Sequence, residues 1–167
     1  MNHLTTIRAQ KNEFFEGDHH SPLTDKQKEI FTGLHYFDEN PALRLEVDLE
    51  LYDPVEQIQI LTNTGAVQTY ERYGRFHFSA EGEQAELTVF RNEHGYFLPF
   101  ADSLAGEETY GAGRYLEPED IGDKRILVDF NLAYNPYCAY NEKWSCPITP
   151  AENRIKLPIR AGEKVFK

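Results

Sequence analysis

Residues 43–52, LRLEVDLELY, alternate apolar and mostly charged side chains without a break. Leu43, Leu45, Val47, Leu49 and Leu51 fall on one face of an extended chain, and Arg44, Glu46, Asp48 and Glu50 on the other. A period of two belongs to a half-buried β-strand, with one face in a core and the other in water. The same signature returns downstream. QIQILT (57–62), 67–73, RFHFSA (75–80), AELTVF (85–90), YFLPF (96–100), 125–134 and 154–159 read as strands. Asn63-Thr64-Gly65 supplies a hairpin turn and Glu81-Gly82-Glu83 a further turn, while Asp53-Pro54 turns the first strand. About eight strands with turn chemistry between them predict an antiparallel sandwich or barrel, mainly β.

Two helices are expected before the strands and packed on them. Leu4, Ile7, Phe14 and Phe15 share one face over 3–16, and Gly17-Asp18 stops that helix. Thr24 with Gln27 matches a capping box for a second, short helix, and Gly33 is its expected stop. These helices are expected to cover an open sheet edge or a barrel mouth, the other reading being a lid or partner-binding arm. With no linker or repeat, 1–167 reads as one domain, a helical segment over 1–34 and a β domain over 43–167.

Charge narrows the partners. Seventeen basic against 28 acidic residues give a net charge of −11, which repels nucleic-acid backbones and anionic membranes. No apolar run is long enough to span a bilayer, and the N-terminus lacks signal-peptide order, so a cytoplasmic chain is expected.

Two stretches lose their periodicity while staying rich in aromatic and polar residues. In 97–115, Arg114 lies between Tyr110 and Tyr115, a setting for stacking or a bidentate carboxylate contact, with internal pairing to Glu107, Glu108 or Asp129 as the alternative. In 129–153, Asp129 and Asn131 lie two apart in an otherwise apolar segment, so they line a polar cavity or pin a loop. Asn135, Asn141 and Asn153 suit irregular backbone. Cys138 and Cys146 are too widely spaced for a zinc motif, and no metal site is expected. They read as a nucleophile with a base brought by the fold (His35, His77 or His94), as buried thiols, or as a short-loop disulfide. Asp102, Glu107, Glu108 and Asp129 could also meet as paired carboxylates.

FLPFADSLAGEETYGAGRYL, DFNLAYNPYCAYNEKWSCPITPAEN and the later AGEK resemble the uncharacterised bacterial and archaeal domain-of-unknown-function family numbered sixteen-eighty-four. Ser21-Pro22-Leu23, the Phe31-x-Gly33-Leu34-x-Tyr36 stretch and the Thr64-Gly65 turn fit it too. The resemblance carries no activity. It implies that Glu108, Thr109, Tyr110, Gly113, Arg114, Tyr115, Asp129, Asn131, Asn135, Cys138, Asn141, Cys146, Pro147 and Asn153 are signature positions. Ile148-Thr149-Pro150 stands where two adjacent prolines are expected.

The leading expectation is a small-molecule pocket where the two stretches meet. Arg114, Tyr110, Tyr115, Asn131, Asn135, Tyr137 and Asn141 would bind a small anionic or carbonyl-bearing ligand. The rival is a hydrolase using Cys138, Asp129 or Glu108 as nucleophile or base. The third is a structural or protein-interaction domain, in which the polar signature locks the loops. The sequence names no cofactor and no oligomeric state.

Overall fold

The computed structural model describes residues 2–166, so Met1 and Lys167, the outer ends of the two expected segments, lie outside the described residues. Helix α1 (His3–Gly17) starts at Asn2, whose side chain accepts the Thr5 N–H. Helix α2 (Asp25–Ile30) carries the expected capping box, with Thr24 and Gln27 satisfying each other's backbone donors. It ends at Ile30, ahead of the expected glycine.

Eight strands follow: β1 (Arg44–Asp48), β2 (Glu50–Leu61), β3 (Val67–Ala80), β4 (Glu83–Asn92), β5 (Gly95–Phe100), β6 (Arg114–Leu116), β7 (Glu119–Gly122) and β8 (Arg125–Asp129). They form a three-stranded sheet, β1-β8-β7, and a five-stranded sheet, β2-β3-β4-β5-β6. Every strand pairing is antiparallel. The barrel alternative gives way to two open sheets.

The alternating stretch over 43–52 does not stay in one sheet. Leu49 makes a corner, donating its N–H to Lys124 O at 2.8 Å, and the chain passes from β1 into β2. Leu43 and Leu49 are buried, but Leu51, beyond the corner, is exposed. Asp53-Pro54 is not a turn; it lies in an irregularity of β2, where the register shifts between Leu51 and Glu56.

Two expected strands, 67–73 and 75–80, are one long strand, β3, with a bulge between Arg72 and Gly74. The extra residue, Tyr73, exchanges the faces. Tyr70 joins Ile60 and Phe90 on the outer face, whereas Phe76 and Phe78 face the main core. Gly74 sits against the Leu49 corner, where a Cβ would lie 2.8 Å from Glu50 O.

That main core lies between the sheets. Phe76, Leu87, Leu98, Phe100 and Leu116 from the larger sheet meet Ile126 and Val128 from the smaller. Leu157, Ile159 and Ala161 add a third contribution, so the C-terminal segment belongs to the core although it forms no strand. The expected strand over 154–159 reduces to one bridge between Arg154 and Ala101. The expected strand over 125–134 stops at Asp129 and becomes a 3-10 turn over Phe130–Leu132, which turns Leu132 out to solvent. Helix α1 reaches the β6 edge through Lys11, whose ammonium lies 5.1 Å from the centroid of the Tyr134 ring. Phe15 is buried against Tyr140, rings 4.9 Å apart and edge-on, so the arm packs on the 137–144 loop.

Candidate functional site

Residues 129–153 bind the two sheets together as they run. Asp129 Oδ1 accepts the Asn131 N–H at 3.0 Å and starts the 3-10 turn. Tyr134 exchanges both backbone hydrogen bonds with Tyr115, at 2.8 and 3.1 Å, closing the β6 edge of the larger sheet. Pro136 then leads into a second 3-10 turn over Tyr137–Ala139 that carries Cys138. The Trp144 indole donates to Pro22 O at 3.2 Å, which fastens the N-terminal arm. Cys146 N–H donates to Asn63 Oδ1 at 2.8 Å, and Ile148 N–H to Leu61 O at 2.9 Å, so the loop ends against the tip of β2.

Most of the polar signature holds backbone. Arg114 is 1% exposed and projects from β6 into the space between the sheets. Its guanidinium donates to Ile159 O and Glu163 O, each at 3.0 Å, and to Ala161 O. It lies over the Phe100 ring, 5.1 Å from the centroid. Burial pulls its pKa down to about 10, against the pull of Asp102 and Glu163, so it is charged at neutral pH. Asp102 accepts from Thr109 Oγ1 at 2.8 Å and from Ile159 N–H at 2.7 Å. Asn153 holds Thr88 from both sides, accepting its N–H at 2.9 Å and donating to its carbonyl at 2.8 Å, and also reaches Pro99 O. Asn131 does the same to Asn40. Asn135 donates to Lys164 O at 3.0 Å. The buried Glu163 carboxylate pairs with Lys11 and accepts from the Tyr140 hydroxyl. These groups cross-tie loops that have few ladder bonds of their own.

The outer face is different. Tyr115, beside Arg114 but on the opposite side of β6, belongs with Cys138 and Cys146, and Phe97, Tyr110, Tyr134, Tyr137 and Trp144 pack around them. Both cysteines are free, and each is 8% exposed. Cys138 N–H donates to Cys146 Sγ at 3.4 Å, and the Tyr110 hydroxyl lies 3.8 Å from Cys138 Sγ. The closeness of the two thiols drives their acidities apart. The Cys138 side chain and the backbone N–H groups of Cys138 and Tyr137 lower the Cys146 pKa, against the opposing effect of burial. The Cys146 side chain and burial raise the Cys138 pKa. Burial and the Cys138 contact push Tyr110 up to about 12.

A family model described as "Protein of unknown function (DUF1684)" matches residues 29–164. The chain belongs to the DUF1684 family. No curated protein matches it. A solved structure with the same fold is the solution NMR structure of an uncharacterised protein from gene locus rrnAC0354 of Haloarcula marismortui. It is 34% identical, covers 96% of this chain and 91% of that chain, and superposes with a TM-score of 0.72.

The expected binding and catalytic residues thus fall into two sets in this chain. Tyr110, Tyr115, Tyr137 and Cys138 come together on the outer face. Arg114, Asn131 and Asn135 do not join them; their side chains serve Asn40 and the 159–164 segment. The anionic or carbonyl group expected at Arg114 meets a guanidinium already surrounded by three carbonyl oxygens. Asn141 caps its own turn, accepting Lys143 N–H at 3.2 Å. Glu108 is exposed, and its carbonyl, not its carboxylate, holds Val165. No hydrogen bond or ion pair links Glu108, Asp129 and Cys138 among the described residues. His77 faces Glu50 and Glu86 on the larger sheet, 3.9 and 3.8 Å away, and His94 lies beside Glu93 in the β4–β5 turn. The residue that sequence reasoning passed over is Glu163, visible only as part of the AGEK motif. Asp18, His19 and His20 place donor atoms within 4.8 Å of one another, on an exposed turn after α1. No described helix is long and apolar enough to cross a membrane.

Proposed function

We propose that the chain is a protein-interaction domain that takes an extended, basic segment of a partner as an added strand on β2. The observation that supports this is the bare β2 edge. β2 is the terminal strand of the larger sheet, whereas Tyr134 closes the β6 edge. From Val55 to Ile60, no described backbone group bonds to anything outside the β2–β3 pairing. The segment VEQIQI carries no lysine or proline, two residues that commonly protect open edges. A trough of about 520 Å³ crosses the sheet face from Gln57 on β2, over Tyr70 and Glu71 on β3, to Arg91 and His94 at the end of β4 and its turn. Strand addition uses an edge for backbone hydrogen bonds and an adjoining depression for alternate side chains.

Charge selects a basic occupant. Asp53 and Glu56 form no ion pair among the described residues, and the chain carries a net charge of −11. Internally, the polar signature supports the rigid presentation that such an edge requires.

A ten-residue peptide alternating valine and lysine is the test probe, followed by amide NMR. The expected shifts cluster at 55–61 and along the trough, and Glu56→Lys weakens binding. Absent or scattered shifts, or binding indifferent to that reversal, would overturn the reading.

A further inference from the structure

The thiol pair adjoins the β2 tip, where Ile148 N–H bonds Leu61 O and Asn63 N–H bonds Cys146 O, past the bare 55–60 stretch proposed for strand addition. Its surroundings are more specific than two small apolar side chains require. Chain segments far apart in sequence position the sulfurs: Asn63 from the β2–β3 turn fixes the Cys146 backbone, and Tyr110 from the 102–113 loop reaches Cys138. Pro136 and Pro147 bound the loop between them. Cys146 Sγ accepts a backbone N–H at 3.4 Å, an interaction that favours sulfur as an anion over sulfur as a neutral thiol. Tyr110, Tyr137 and Trp144, each partly exposed, pack around the sulfurs and separate them from solvent by one layer of aromatic side chains.

We propose that Cys138 and Cys146 are a redox-active dithiol that exchanges with small disulfides, with Cys146 as the attacking thiolate and Cys138 as the resolving thiol. In the first step, the Cys146 thiolate forms a bond to one sulfur of R–S–S–R′. The disulfide bond breaks, and R′S⁻ leaves. In the second, Cys138 gives its proton to that departing thiolate and attacks Cys146 Sγ. The Cys146–SR bond breaks and RS⁻ leaves. The pair loses two electrons and becomes an intramolecular disulfide; the reagent gains them as R′SH and RS⁻. The acidity split between the sulfurs matches this division of labour: a thiolate attacks, and a protonated neighbour waits until the mixed disulfide has formed. No histidine or carboxylate is needed as base.

Oxidised glutathione is the probe, applied to the folded, reduced full chain and followed by intact-mass and peptide mass spectrometry. The expected product has lost two hydrogens and yields a peptide linking 138 to 146. Cys138→Ser is expected to stop at a glutathione adduct on Cys146, because nothing resolves it. Cys146→Ser is expected to form adducts about tenfold more slowly or worse, and only on Cys138. The adduct rate of Cys138→Ser should reach half its plateau below the ordinary thiol range near about 8.5. Linkage or adducts that appear only after denaturation identify merely structural thiols and overturn the proposal. So does a mixed disulfide that forms on Cys138 first. Circular dichroism checks each variant. If one fails to fold, the wild-type product decides: a linked folded chain supports the dithiol, and an unreacted one removes it.

Discussion

Arg114 shows how one side chain can replace a strand. The segment carrying Ile159, Ala161 and Glu163 has a single isolated bridge among the described residues, from Glu163 to Tyr36, and all three carbonyls end on one guanidinium. Arginine suits this because its donors radiate in a rigid plane, whereas a lysine ammonium is a flexible point charge. Arg114→Met should therefore strand three buried carbonyls and remove the cation 3.9 Å from the Asp102 carboxylate. The expected loss is about 3–5 kcal/mol of unfolding free energy by urea denaturation, in the range for breaking a buried charged contact. Arg114→Lys should recover less than half. A loss under about 1 kcal/mol for Arg114→Met would remove the clamp. Sequence alone marked Arg114, Asn131, Asn135 and Asn153 as unusual, but it could not say what their donors meet. A forked donor recognises a substrate carboxylate and a row of main-chain carbonyls by the same chemistry. Only the fold shows that 159–163 arrives first.

At the scale of elements, β3 is the part on which the rest depends. Its bulge at Tyr73 puts Tyr70 and Phe76 on opposite faces although they are an even number of residues apart, so one strand serves two clusters. Gly74 lets the strand pass the Leu49 corner. In Gly74→Ala the new Cβ would meet Glu50 O at 2.8 Å and Leu49 Cδ1 at 3.0 Å. Calorimetry should show a destabilisation of about 1–3 kcal/mol, the cost of overpacking. Hydrogen exchange should show the first amides of β2 opening fastest. An unchanged melting profile would mean that the corner yields freely. The mainly β class, the N-terminal helices and the capping box were legible because alternation and caps are local signals. β6 and β7 were not. Arg114, Tyr115 and Leu116 are all buried, and β7 is exposed throughout, so neither strand alternates. The supposed strands at 130–134 and 154–159 failed for the opposite reason. Their apolar spacing is real, but 3-10 turns and the Arg114 clamp, rather than a ladder, deliver those side chains to the core.

Over the whole molecule, the net charge of −11 acts in two directions. Self-repulsion among carboxylates opposes the compact state, and the same field draws in basic partners. Raising sodium chloride from about 0.1 M to about 1 M should lift the melting temperature while weakening binding of the valine–lysine peptide, because screening reduces both forces. Thermal scans and NMR titrations on one sample series would test this; salt effects of the same sign would separate the peptide site from the chain's charge. The Arg114 clamp also bears on the order of events during synthesis. Arg114 leaves the ribosome well before Ile159, 45 residues behind it, and Glu163, 49 behind. Until those residues emerge, Phe100, Leu98 and Val128 can meet, but the cation among them has no acceptors and the space between the sheets lacks Leu157 and Ile159. A nascent chain halted in that interval therefore holds a wet, charged gap where the finished protein has its centre. That makes it a natural substrate for chaperones that bind exposed apolar surface.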